Sequence, residues 1–173
     1  MADLKLNTTN GSVTLKPEDG SGNVDVTIPR TGVGKVLQVQ DYVVPSINDA
    51  YTAISSGVQW DTPISISFTP ASNNSKIYID AEVQTRIIGA VGIIIGIKQN
   101  GVKIDGNYNK AAQYFAYKGD GINHHYQAHL TASIVNTNTT TKTFSVWMEP
   151  YAGTGEFSYG WGRNSIRIME VAN

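Results

Sequence analysis

Three histidines fall within six residues, His124-His125-Tyr126-Gln127-Ala128-His129, and imidazole is the side chain best suited to hold a metal or move a proton near neutral pH. On an extended chain His125 and His129 share a face but stand about 13 Å apart at about 3.3 Å per residue, so one chain cannot chelate a metal with both. Three copies of one histidine gathered at a symmetry axis would make a three-nitrogen site. The plainer reading, strand-end histidines on a polar surface, is the one adopted. Asp80 and Glu82 lie side by side on the polar face of one strand, whereas glycoside cleavage needs two carboxylates facing each other across a cleft. Asp19, Asp105, Asp120 and Glu156 sit in turn material, where Asp beside Gly is ordinary punctuation. Gly32-Val33-Gly34-Lys35 is followed by Val36, without the Ser or Thr and the upstream glycine of a phosphate-cradling loop. No Gly-x-Ser-x-Gly elbow accompanies the serines, and with no cysteine there is neither thiolate ligand nor disulfide. The sequence therefore assigns no catalytic residue, no metal and no cofactor.

Aromatic clusters are the better binding candidates. Tyr108, Tyr114, Phe115 and Tyr117 fall in one polar stretch, and Tyr151, Phe157, Tyr159 and Trp161 in another. Sugar rings stack their C–H faces on aromatic planes while Asn, Asp and Gln bond the hydroxyls, and large aromatics also dominate protein interfaces. Phe157 and Trp161 read better as filling of a sandwich end or a subunit interface. Tyr108, Tyr114 and Tyr117, with His124 and His125 nearby in sequence, are carried forward as ligand candidates.

The elements that must position these groups are strands. Ile64, Ile66 and Phe68 alternate with Ser65 and Ser67; after a Pro/Ser/Asn turn, Ile77, Ile79, Ala81 and Val83 alternate with Tyr78, Asp80, Glu82 and Gln84. Period two over this length means strands with one buried face. Val91 to Ile97 is apolar on both faces and β-branched, a strand covered on both sides. Asn100-Gly101 supplies a hairpin turn in which both central residues take positive φ. His125 to Val135 and Thr143 to Met148 read as a second hairpin, and Ser165 to Val171 as a last strand. Ser46 to Ser56 reads as a long surface loop in which one or two helical turns compete, and Asp105 to Asn123 as loop with one short element. Eight to ten strands at roughly 8–12-residue spacing predict an all-β, antiparallel two-sheet jelly-roll sandwich.

Totals narrow the classes. The chain has 173 residues, 13 basic and 14 acidic, and only 16% charged residues, against roughly 25% in typical soluble domains. Such a surface predicts an oligomer or an extracellular setting. There is no basic excess for nucleic acid, the amino terminus shows no signal-peptide pattern, and the longest apolar run, Ile87 to Ile97, falls short of the roughly 20 residues of a membrane span. Residues 1–34 pack very short alternating segments between Asn-Gly, Asp-Gly and Ser-Gly breaks. Segments this short cannot bury an apolar face alone. They either fold onto the main domain or, the reading preferred here, intertwine with copies of themselves as a stem, leaving residues 35–173 as the head.

The order of several stretches carries a resemblance. GSVTLKPEDGSGNVDVTIPRTG leads into GKVLQVQ; SISFTPASNNSKIYIDAEVQ follows, then the apolar strand with its QNG turn, and SIRIMEV ends the chain. This order resembles the distal part of bacteriophage tail-fibre and related virion proteins, whose globular ends are similar to the tumour-necrosis-factor and complement-head jelly roll. The resemblance covers most of the chain, through strand and turn patterns and not chemical motifs. It implies a homotrimer, a virion location on a tail fibre or the capsid surface, attachment to a host-surface polysaccharide or protein, and contact with other virion proteins through the amino terminus. It also implies that the last strand lies near the threefold axis, which makes Ile166, Ile168, Met169 and Val171, with Trp161, the trimer-interface candidates. Neither enzymatic activity nor membrane insertion is implied. The competing readings are a structural decoration or fibre-tip protein without a ligand, and a polysaccharide depolymerase.

Overall fold

The computed structural model describes residues 4–8, 11–15, 34–46, 50–88, 91–104, 114–118, 124–160 and 162–173. The chain divides into two compact units, Met1–Arg30 and Thr31–Asn173. In the first, β1 (Leu4–Thr8) pairs antiparallel with β2 (Gly11–Leu15), Leu4 opposite Leu15 and Thr8 opposite Gly11.

The second unit is a sandwich of two antiparallel sheets. Its strands are β3 (Val36–Val43), β4 (Tyr51–Ser55), β5 (Trp60–Phe68), β6 (Ser75–Ile88), β7 (Val91–Gln99), β8 (Val102–Ile104), β9 (Tyr114–Lys118), β10 (His124–Asn136), β11 (Lys142–Pro150), β12 (Thr154–Ser158) and β13 (Ser165–Ala172). In the first sheet the long strand β6 pairs with β10 along one edge. Its other edge is shared end to end by β12, opposite Thr85 to Ile88, and β13, opposite Ser75 to Glu82. β4 and β3 continue outward from β12 and β13 in the same broken fashion. The second sheet runs β5, β11, β7, with β8 and β9 sharing the far edge of β7. Each sheet is thus four strands wide, and consecutive strands repeatedly change sheet, which is the jelly-roll connection pattern.

The break between β12 and β13 is held by Asn164. Its side-chain carbonyl accepts the Gln84 N–H at 2.7 Å, its amide donates to the Ser158 carbonyl at 2.6 Å, and its own carbonyl accepts the Val44 N–H at 2.9 Å. One buried amide therefore satisfies backbone groups that the interrupted ladder leaves open.

Inward alternation builds one core: Ile77, Ile79, Ala81, Val83 and Ile87 of β6 and Leu130 of β10 face Ile64, Phe68, Phe144, Met148, Ile93 and Ile95 of the other sheet. Each fully buried Ile, Leu or Phe contributes roughly 1.5–3 kcal/mol, so the sandwich has its own core within one chain. The strand covered on both sides is β7: Ile93, Ile95 and Ile97 face the core, and Ile94 packs with buried Trp147 on the other side. Asn100 (φ 50°) and Gly101 (φ 80°) form the β7–β8 turn with both residues in the left-handed region, as the Asn-Gly pair predicts.

Two expectations are corrected. β10 and β11 are not a hairpin. They lie in opposite sheets, and the Thr/Asn-rich connection after Asn136 crosses the sandwich. An arch between sheets roughly 10 Å apart demands the same inward alternation as a hairpin, so the pattern cannot separate them. Ser46 to Ser56 contains the strand β4, where the β-branched Thr52 and Ile54 outweigh helical spacing; residues 47–49 lie outside the described residues. The Gly-rich aromatic stretch from Tyr151 contains β12, an interior strand between β4 and β6. Tyr114 and Tyr117 belong to the strand β9, which is the short element expected within Asp105 to Asn123.

Candidate functional site

Outward-facing residues of the β6 sheet line up in rows because the register is continuous. Asp41, Arg167, Asp80 and Thr131 stand across β3, β13, β6 and β10; the next row is Val43, Ser165, Glu82 and His129. The Arg167 guanidinium donates to both Asp41 oxygens, at 2.7 and 3.5 Å, and that hydrogen bond holds the Asp41 carboxyl below its usual value. Arg163 comes within 3.6 Å of Glu82, and the Ser165 hydroxyl donates to the same carboxylate at 3.4 Å. All of these residues except Val43 and Thr131 line a cavity of about 220 Å3 on the outer face.

The connection from β12 to β13 lies over the adjoining part of this face. Gln127 donates to the Arg163 carbonyl at 2.8 Å, and a Cβ at Gly162 would stand 2.5 Å from the side-chain oxygens of Gln84 and Gln127. Beyond it Arg86 donates to Glu156 at 2.5 Å, and its guanidinium lies 3.9 Å over the Tyr51 ring. The His125 ring is 6.2 Å from Tyr51; desolvation, then the Arg86 charge, lowers its pKa below 6.5.

At the opposite end the outer face turns apolar. Met169 lies between Val39 and Tyr78, and Val171 between Val36 and Lys76, with Val135 on β10 at the far side of Lys76. Val36, Val39 and Val135 are 48%, 52% and 70% exposed.

The sequence candidates do not form one site. Tyr108 and Trp161 lie outside the described residues, as does the side chain of Tyr117, whose backbone pairs with Gly92. Tyr114 packs against the core, and burial raises its phenol pKa. His124 stacks on Tyr126, ring centroids 6.1 Å apart, on the strand face opposite to His125. Ile166 and Ile168 are 1% and 0% exposed within their own chain, so their area is already covered and they are withdrawn as interface residues. Met169 and Val171 remain on the outer face. Among the described residues no group of three His, Asp or Glu side chains could hold a metal ion. Sequence reading noted Asp80, Glu82 and His129 but missed Asp41, Arg163 and Arg167. The Asp41–Arg167 pair spans 126 positions, and no local pattern encodes that register.

No family model and no curated protein matches the sequence. Among solved structures, the chain is similar to one from T=1 particles derived from infectious bursal virus, at 13% identity and TM-score 0.48, covering 96% of this chain and 40% of that one. It is also similar to one from the Gx strain of infectious bursal disease virus, at 12% identity and TM-score 0.43, covering 98% and 46%. This chain spans less than half the length of those it matches. With TM-scores below 0.5, the likeness bears on neither family nor activity.

Proposed function

We propose that the chain is a non-enzymatic virion protein: a homotrimeric jelly-roll head that attaches a bacteriophage tail fibre to the host surface, with the amino-terminal unit as the link to other virion proteins. The observation that carries this reading is the exposed apolar end of the outer face. Val36 and Val39, beside Met169 and Val171, form an apolar strip on β3 and β13, with exposed Val135 across Lys76 on β10, that a chain with a complete core of its own does not need for folding. Exposed contiguous apolar surface rimmed by polar residues marks an association site. Symmetric assembly of three heads multiplies a weak surface affinity through simultaneous engagement. The two-sheet antiparallel sandwich of the second unit supports this reading.

Fluorescently labelled full chain, applied to a panel of bacterial strains, tests attachment. The reading predicts surface labelling of a restricted set of strains; labelling of none, or of all alike, contradicts it.

A further inference from the structure

We propose that the cavity on the outer face of the β6 sheet is a subsite for one neutral sugar ring, presented by its vicinal hydroxyls to Asp80 and Arg163. The inference rests on the attachment reading and names the chemistry of its contact. Three carboxylates and two guanidinium groups line the cavity, and they are not equally engaged. Asp41 is bound by Arg167 through two hydrogen bonds. Arg163 makes a single long approach to Glu82 through Nε, at 3.6 Å, and its side chain is 57% exposed. Its terminal N–H groups are therefore available as donors. Asp80 accepts no hydrogen bond and joins no ion pair among the described residues; it adds only to the field on Arg167. The imidazole of His129 stands opposite Glu82 in the β6–β10 register.

An unengaged acceptor-only carboxylate and unengaged guanidinium donors lining one cavity select a ligand that both donates and accepts. A pyranose diol does this: two O–H groups donate to one carboxylate while their oxygens accept from the guanidinium. The alternatives fit less well. With His129 neutral the lining carries one net negative charge, which disfavours an anion, and its one apolar residue, Ile166, has its side chain in the core, which gives an apolar or aromatic ligand little to bury against. The volume of about 220 Å3 suits one ring and not a drug-sized ligand, which needs roughly 300 Å3 or more. Specificity would then come from hydrogen bonds, since a polar site rejects an analogue that leaves its groups unpaired.

The test uses the full chain and three probes, the methyl pyranosides of glucose, galactose and mannose, titrated to tens of millimolar with the His129 ring signals followed by NMR. The proposal predicts saturable shifts with at least one probe, a tenfold or greater loss of affinity in Asp80→Asn, and a comparable loss in Arg163→Gln, while His124 and His125 signals stay still. Circular dichroism of both variants must match the parent, which separates lost binding from lost folding. No saturable shift with any probe, or equal affinity in Asp80→Asn, overturns the subsite. Strain labelling without sugar binding sinks this inference and leaves attachment standing; sugar binding without strain labelling does the reverse.

Discussion

Glu170 shows how much a single side chain can organise. It points inward from β13, is 0% exposed, and accepts from the Ser75 hydroxyl at 2.6 Å, the Gln38 amide at 2.7 Å and the N–H groups of Ala71 and Ser72 at 2.8 and 3.1 Å. This carboxylate therefore ties the β5–β6 connection to the two strands at the sheet's edge. Burial raises its pKa, but the four donors outweigh burial and leave it below the usual 4.5. A folded-state value below the unfolded one means stability that is complete above about pH 4.5 and is lost as pH falls through the folded value. Glu170→Ala should cost about 3 kcal/mol in urea unfolding at pH 7, because buried donors lose their acceptor. It should also flatten the acid limb of the stability profile; an unchanged acid limb would place the acid-sensitive group elsewhere. Asn164→Ala, which strands the Gln84 N–H and the Ser158 carbonyl, should cost about 2 kcal/mol by the same measurement.

At the scale of elements, the β7–β8 hairpin offers the cleanest test. Gly101 sits at φ 80° with nothing within 4 Å of a built Cβ, so Gly101→Ala meets no neighbour and pays only the left-handed backbone penalty, about 1 kcal/mol. A loss of 3 kcal/mol or more in urea unfolding would show that the turn carries more than its backbone geometry. This hairpin was legible from sequence because Asn-Gly encodes its own dihedrals. So was β6, since eight alternating residues from Ile77 to Gln84 permit only one face inward. The partners of these strands were not legible. Leu130, Ala132 and Ile134 face Phe144, Val146 and Met148 whether the two strands share a sheet or oppose each other across the core. Inward parity is the same in both cases, and only the long-range register separates them. β12 escaped for a different reason: Gly155 reads as a loop residue, yet a Cβ there would stand 2.9 Å from Ile93 Cδ1. The glycine serves close packing between sheets, a contact that sequence cannot display. The charged cavity was half visible, with Asp80 and Glu82 on one strand, and half hidden, with Asp41 and Arg167 joined only by folding.

For the whole molecule, the division of apolar surface decides the account. Ile166 and Ile168 are spent inside one chain, while Val36, Val39 and Val135 remain outside it. Assembly should therefore depend on the second set and not on core packing. Val39→Asp combined with Val135→Asp, which puts charges into the shared surface, should leave the circular dichroism spectrum intact and abolish association. Light scattering on a dilution series of the full chain at micromolar concentration reads the number of chains per particle. A homotrimer gives a particle of three times the chain mass of 18.7 kDa, reduced to one chain by the double variant. A well-folded particle of a single 18.7 kDa chain across the series would contradict it.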